Sequence, residues 1–534
     1  DGPAMIWPSR KLTLYCTLFL VCGFLTGSED ASSISLEDAL RKALVEQPVL
    51  EIQQEQVTQR EGILLEESGA FDWRFRGEVR HGFEQTPLSD SARERLRAAA
   101  GPGFTDPEDF ETHRTEYSGT LSSLFRSGLS TDASVAFQRE DVRTVDPDPP
   151  INRSVITLGV NVPLLRGLGR DATAAFETAA RLDLAASQRE IELVASEITR
   201  DTASAYWRAR FAAGIVALRE DARQRATDLL QNIEQLVEAD ERPRSDIGPT
   251  RAFVSEKALE LIQARSREHA TRRDFGRLLG LSTDRLSAIP VPESDFPEPS
   301  DLGSELENLS YWLQRAEAQR ADFQSSRIRE ESALALRRGA RDGLKTRLDL
   351  RVEANYAQVA EGSDRDSLLT PFRSRQAGPG AFVILEMDWP FANREARGRY
   401  RQSQARYRQS TWRSEDLRRE IQTSVSSLFH TLQSNVHEIA QAEETVELYQ
   451  KSLQNELQRF KMGMSTIFDI VESQDRLTGA TLFFLDRQRD YATNLARLRF
   501  ALGDLVETSD ANLKLDSRKL LQVPQSSVAT TAAP

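Results

Sequence analysis

Residues able to do chemistry are few in this chain, and they are scattered. The five histidines are His81, His113, His269, His430 and His437. His430 and His437 stand seven apart on one helix face, but no third ligand lies near them in sequence, so no zinc site is expected. Both cysteines, Cys16 and Cys22, fall in the first apolar segment, and the remainder of the chain offers no thiol nucleophile. No Gly-rich phosphate loop and no paired metal motif occurs. DPDPP (146–150) has the carboxylates of a calcium loop but reads as a solvated one. An enzyme, a cofactor and a resident metal are therefore not expected. Carboxylates remain: Asp469 and Glu472 are three apart, hence neighbours on one helical face. Asp246 of RSDIG holds the place of Asp469 in a similar segment 223 residues earlier. Such groups hold charge in place rather than turn over a substrate.

Elements must position that charge, and length and composition bound them. At 534 residues the chain exceeds one compact core, so several domains or an elongated architecture is expected. With 82 acidic against 69 basic residues it is acidic, which argues against a nucleic-acid partner. Residues 5–28 have a basic start at Arg10 and Lys11, about a dozen apolar residues and small residues at Thr26, Gly27 and Ser28. This is the pattern of a secretory signal peptide, with an uncleaved anchor as the other reading. No later apolar run approaches the roughly 20 residues of a spanning helix. A membrane crossing would have to use strands.

The chain reads as one plan written twice. ITRDTASAYWRARF (198–211) aligns with IQTSVSSLFHTLQS (421–434) at a shift of 223, and GAFDWRFRGEV (69–79) with DGLKTRLDLRV (342–352) at a shift of 273. The first repeat, 33–281, has a short helix about 35–69, strands about 71–163, a long helix about 170–240 and a short helix 247–281. A Pro-rich linker, 282–304, follows. The second repeat, 305–507, has a short helix to 342, strands about 344–390, a long helix about 396–463 and a short helix 470–505. Residues 508–534 read as a disordered tail. A helix of about 70 residues spans roughly 105 Å, the length of two shorter ones end to end, so each long helix is expected beside a stacked pair. Ile439, Ala442, Val446, Tyr449, Leu453, Leu457 and Phe460 form a coiled-coil seam, as do Ile215, Leu218, Ala222, Leu229, Ile233 and Leu236. Helices alone would suit a soluble periplasmic coiled-coil adaptor or scaffold.

The strands argue otherwise. FDWRFRGEVRHGF (71–83) places Phe71, Trp73, Phe75, Val79 and Phe83 on one face and charged residues between them. LKTRLDLRVEANY (344–356), SVITLGVNVP (154–163) and AFVILEMDWP (381–390) alternate in the same way. Ten or more residues with an apolar face opposite a charged one is what a tilted transmembrane strand requires. Trp73 and Trp389 lie where strands meet helices, as an aromatic girdle would. Four strands cannot close a barrel, since small barrels need about eight, so several chains must share one. A further hairpin, 115–125 and 128–138, is recognisable without an assigned place. Loops 84–114, 140–152 and 361–379 would face outward.

Taken together, these segments give a chain that resembles the TolC-like outer-membrane efflux proteins over residues 33–507. The carriers are ISLEDALRKALVEQPVL (34–50), VNVPLLRGLGR (160–170), RFKMGMSTIFDIVESQDRL (459–477) and DYATNLARLRFALGDL (490–505). The resemblance implies an α+β membrane protein: a trimeric transmembrane β-barrel, about four strands per chain and twelve in all, continued by an α-helical coiled-coil tunnel. It implies an outer-membrane homotrimer of a Gram-negative-type cell, in contact with lipid, reaching into the periplasm. It implies an efflux or secretion duct that meets an inner-membrane transporter through a periplasmic adaptor. Carried over by motif, a periplasmic gate falls on Asp246, Asp469 and Glu472, and the adaptor-facing helical tip on Phe460, Gly463, Met464 and Ser465. The first-half turn, EADERPRSD, departs from the pattern by lacking the glycine and carrying Pro243.

Overall fold

The computed structural model describes residues 33–100, 109–143, 149–281, 289–362, 377–509 and 512–525. The signal-like segment, most of DPDPP and residues 282–288 of the expected linker lie outside these. In chain order the first half runs β1 (Ser33–Ile34), α1 (Leu36–Glu46), α2 (Pro48–Ser68), β2 (Arg74–Pro87), α3 (Asp90–Ala100), β3 (Asp109–Leu124), β4 (Ser130–Arg143), β5 (Ile151–Pro163), α4 (Arg170–Thr173), α5 (Ala175–Glu238) and α6 (Ile247–Leu278). The second runs β6 (Val291–Pro292), α7 (Gly303–Glu307), α8 (Leu309–Gln319), α9 (Ala321–Asp342), β7 (Arg347–Glu361), β8 (Ala377–Asp388), α10 (Arg394–Lys461) and α11 (Ile467–Leu502), closed by β9 (Val506–Ser509) and β10 (Asn512–Leu515).

The long helices α5 and α10 have 64 and 68 residues, roughly 100 Å each. α5 packs against α2, α9, α6 and α11, and α10 against α9 and α11. Small residues let these neighbours close: Ala203, Ala205, Ala209 and Ala226 of α5 are fully buried or nearly so. At mid-height Tyr206, Trp207 and Phe275 pack with Leu40 and Ala43 in one core. Trp312, Phe429, Tyr491 and Leu498 fill a second. At the end away from the sheet, Leu229, Ile233, Phe460, Ile467 and Ile470 make a third.

Each expected short helix at 35–69 and 305–342 is interrupted. Gln47 is extended (φ −78°, ψ 119°) because the ring of Pro48 disfavours helical geometry in the residue before it. Arg320 is likewise extended (φ −65°, ψ 120°). Each break receives the end of a distant helix. A Cβ at Gly280 (φ 73°) would come within 2.7 Å of the Glu46 carbonyl oxygen, and one at Gly503 (φ 74°) within 2.8 Å of the Arg320 nitrogen.

The strand count differs from the expected four. Six strands form one antiparallel sheet in the order β2-β3-β4-β5-β7-β8. The unassigned hairpin is β3 and β4, inserted between β2 and β5, so that every strand pairs with its neighbour over eleven or more residues. Pairing along the backbone satisfies donors and acceptors that a hairpin set apart from the sheet would leave open.

The tail also departs from expectation. β9 and β10 pair, Leu520 is fully buried, and the Arg499 guanidinium donates to the carbonyls of Lys519 and Gln522 at 2.8 Å each. A buried pair with Asp504, 2.8 Å, fixes that guanidinium. Residues 512–525 are therefore part of the mid-height body.

Candidate functional site: the helical tip and the strand–helix junction

Two turns meet at the end of the helices. In the second, α10 stops at Gly463, whose φ of 70° ends the helix in the left-handed manner that glycine favours. The first turn has no glycine; Asp240 takes the same step at φ 58°, a conformation that Asp tolerates better than most residues. Arg242 lies 4.4 Å over the Phe460 ring and ties the two turns together.

Asp469 sits at the third position of α11 in a capping box. Its carboxylate accepts from the Thr466 hydroxyl at 2.7 Å and the Thr466 N–H at 2.9 Å, while Thr466 receives the Asp469 N–H. These bonds from Thr466, led by the hydroxyl, hold the Asp469 carboxyl below the usual carboxylate range. Glu472 is exposed and pairs with Arg476 at 2.7 Å. Asp246 stands half-buried at the start of α6, and its side chain does not cap that helix.

The four tip residues divide. Gly463 and Met464 are exposed, whereas Phe460 and Ser465 are buried. Phe460 is held inside because its ring fills the space between the two turns, and the Ser465 hydroxyl donates to the Glu456 carboxylate. The exposed apolar groups of the tip are instead Met462, Met464 and Phe468. Met462 and Phe468 escape a motif-based reading; their signal was the placing of large apolar residues beside a turn.

Sequence spacing also missed Lys257. It is buried on α6, 2.7 Å from Asp475 of α11 and 3.3 Å from Glu260, and lies 4.9 Å from the centre of the Phe253 ring. Burial alone would lower its pKa, but Asp475 and Glu260 outweigh that and raise it. The link joins the last helices of the two halves just behind the tip.

At the other end, Trp73 precedes β2 and Trp389 follows β8, and both are more than half exposed. Trp73 meets Phe125 edge-on at 6.5 Å, and Trp389 packs on Phe391 at 5.4 Å. The turn between β3 and β4 is fastened here. Arg126 makes a two-pronged bond to Glu177, 2.7 and 2.8 Å, and lies 4.6 Å over the Phe71 ring. The Glu177 side chain is only 2% exposed, and its Arg126 bond lowers its pKa despite that burial.

Among the described residues no group of His, Cys, Asp and Glu could hold a metal, and no helix is long and apolar enough to cross a membrane. The sheet has two dissimilar faces. Phe75, Leu121, Ala133, Leu158, Ala354 and Ala381 lie abreast on one, and Arg76, Thr120, Ser134, Thr157 and Asn355 abreast on the other.

That architecture is one found in solved outer-membrane channels. The fold is similar to VceC from Vibrio cholerae at 15% identity, over 88% of this chain and 96% of that one, with a TM-score of 0.60. It is also similar to the Campylobacter jejuni CmeC channel (12% identity, 93% and 94%, 0.60) and to the open state of Neisseria gonorrhoeae MtrE (15%, 88% and 88%, 0.56). Residues 312–504 match the family described as outer membrane efflux protein. The second half thus carries a match to the outer membrane efflux protein family, and the described chain shares its fold with these solved channels; neither description is of an enzyme. Comparison with curated protein sequences finds no match.

Proposed function

We propose that this chain is the passive exit duct of a tripartite efflux or secretion system in the outer membrane of a Gram-negative-type cell. Three copies close one barrel, and their helices continue it into the periplasm toward an adaptor and an inner-membrane transporter. The observation that carries this reading is the sheet. One of its faces is apolar and solvent-exposed at Phe75, Val79, Phe83, Val383, Leu385 and Met387. Among the described residues both edge strands, β2 and β8, have one unpaired side. In a bilayer such edges must be paired, and only closure with further copies does that. A soluble coiled-coil protein would have no use for an apolar sheet face of this extent.

The two halves are read as copies of one unit. The breaks at Gln47 and Arg320 are separated by the 273 residues of the upstream sequence shift, and Gly280 and Gly503 by the 223 of the downstream one. Trp73 and Trp389 serve as the girdle at the inner boundary of the barrel. The exposed tip, with Met462, Gly463, Met464 and Phe468, is the adaptor-facing surface. Asp246, Asp469 and Glu472 make an acidic mouth, in which the Asp469 charge is fixed by its cap, Glu472 is shared with Arg476, and Asp246 is the least engaged. Rings of carboxylates favour cations over anions.

Planar-bilayer recording of the detergent-purified protein tests this. Low, cation-selective conductance is expected, with Asp246→Asn reducing selectivity more than Glu472→Gln. A protein that never inserts, or stays soluble without detergent, overturns the duct reading.

A further inference from the structure

The hairpin of β3 and β4 adds two strands to a wall that sequence reading expected to contain four. We propose that this hairpin is a full wall element of the closed barrel, so that three chains give an eighteen-stranded pore with an outlet much wider than twelve strands allow. The inference rests on the duct and trimer proposed above.

Three observations carry it. First, register: β2 pairs with β3 over the whole length of β2, from Arg74 opposite Ser122 to Pro87 opposite Asp109, and β4 pairs with β5 from Ser130 opposite Asn161 to Glu140 opposite Ile151. β5 is paired on both sides, by β4 and β7, so it offers β2 no hydrogen-bonding edge. Second, face: Tyr117 and Leu121 of β3 share the apolar side with Val79 and Phe75, and are 46% and 41% exposed. Across the sheet, Val135 of β4 continues that side toward Ile156 of β5. The opposite side of the hairpin carries Glu116, Ser118, Thr120, Ser122, Asp132 and Gln138. A decoration in water has no reason to match both faces of the membrane wall. Third, attachment: the turn is tied into the start of the long helix. Gly128 (φ 94°) lies so close to the Gly167 carbonyl that a Cβ there would collide with it, the Gly169 N–H donates to the Ser127 carbonyl at 2.9 Å, and Arg126 holds Glu177.

Strands about 4.8 Å apart and tilted about 40° give a backbone diameter of roughly 36 Å for eighteen strands, against about 24 Å for twelve. Barrels of about 16–18 strands leave an open aqueous channel. The membrane barrel would then be wide enough that selection of cargo by size falls to the helical mouth.

The test uses the full chain with Cys16 and Cys22 replaced by serine, reconstituted in vesicles, with single cysteines at Thr120, Ser122 and Ser134 or at Leu121 and Val135. A charged maleimide should label the first three at least about tenfold faster than the last two, as strict alternation across a wall requires. Light scattering of the detergent-purified oligomer should give the mass of three chains. Equal labelling of both faces, or labelling of neither, overturns the hairpin's place in the wall and leaves four strands per chain. Retained alternation with a different copy number overturns the total of eighteen and the trimer with it, and leaves six strands per chain. Deletion of 109–143 should shrink the largest polymer that enters from the outer side; an unchanged limit counts against the widened outlet.

Discussion

Asp469 is the residue at which charge and structure are hardest to separate. Its folded pKa is lowered by the Thr466 hydroxyl and N–H, so its contribution to the tip is present above the unfolded carboxyl value of about 4 and is lost as pH falls through the lower folded value. Hydrogen exchange across 462–470 should be flat from pH 7 to 5, after correction for intrinsic rates, and should accelerate below about pH 4. Asp469→Asn should show the loosened tip already at neutral pH; unchanged protection in that variant would mean that the cap does not hold the tip. The positive-φ positions behave differently. Gly463 has open space where a Cβ would stand, so Gly463→Ala costs only the left-handed backbone, about 1 kcal/mol of local stability by hydrogen exchange. Asp240→Gly should cost far less, because the strain it relieves offsets the added freedom of the unfolded chain. Spacing alone made the Asp469–Glu472 neighbourhood legible, since helical periodicity places side chains without knowledge of the fold. The burial of Phe460 and Ser465 was not legible, because it depends on Arg242 arriving from a turn more than 200 residues away.

The strand–helix junction is where single elements are coupled. Arg126 joins the β3–β4 turn to α5 through Glu177, which also receives Arg181 at 3.1 Å. Arg126→Ala should leave a nearly inaccessible carboxylate with one partner in place of two, and the heat stability of the proposed trimer on a semi-native gel should fall clearly. Glu177→Gln in the same chain should restore part of it, since the stranded charge is what costs most; a double variant worse than the single one would show that the pair is not the fastening. Alternation in the sequence revealed the faces of the four expected strands, because side-chain direction follows from period two. Neighbours in a sheet are decided by pairing, which alternation does not encode, and so the hairpin had no place until the register was known. The break at Gln47 was written in Pro48; the one at Arg320 has no such mark and arises where Gly503 approaches the chain. Tail residues 517–525 fall in the stretch expected to be disordered, yet the carbonyls of Lys519 and Gln522 bind Arg499, a role that belongs to backbone and leaves no trace in residue type.

At the scale of the whole molecule, closure of the proposed barrel requires that β2 of one copy meet β8 of the next, and the two edges carry complementary charge. Arg74 and Arg76 stand at the helix-side end of β2, while Glu386 and Asp388 stand at the helix-side end of β8, all four on the polar face. Antiparallel pairing of these edges would bring two arginines against two carboxylates, and opposite charges across a strand pair contribute roughly 0.2–1 kcal/mol each. Repeated around a ring, terms of this size bias one closed assembly over open chains, because a closed ring leaves no lipid-facing edge unsatisfied. Cysteines placed on the apolar face, one at Val79 and one scanned across Val383, Leu385 and Met387, should give a register at which oxidation links the copies. In a closed ring of three the covalent product stops at trimer and no larger species forms. An open ladder of products would show heterologous contacts that do not close. Arg74→Glu with Arg76→Glu should slow trimer formation, and Glu386→Arg with Asp388→Arg in the same chain should recover part of it, unless the loss of the neighbouring Arg347 interaction within the sheet outweighs the gain across the edge. That outcome has its own control: the β8 changes alone should then impair assembly as much as the combined chain. Combined-chain assembly no better than that of the β2 changes alone, with β8 changes harmless by themselves, would sink the pairing of these two edges.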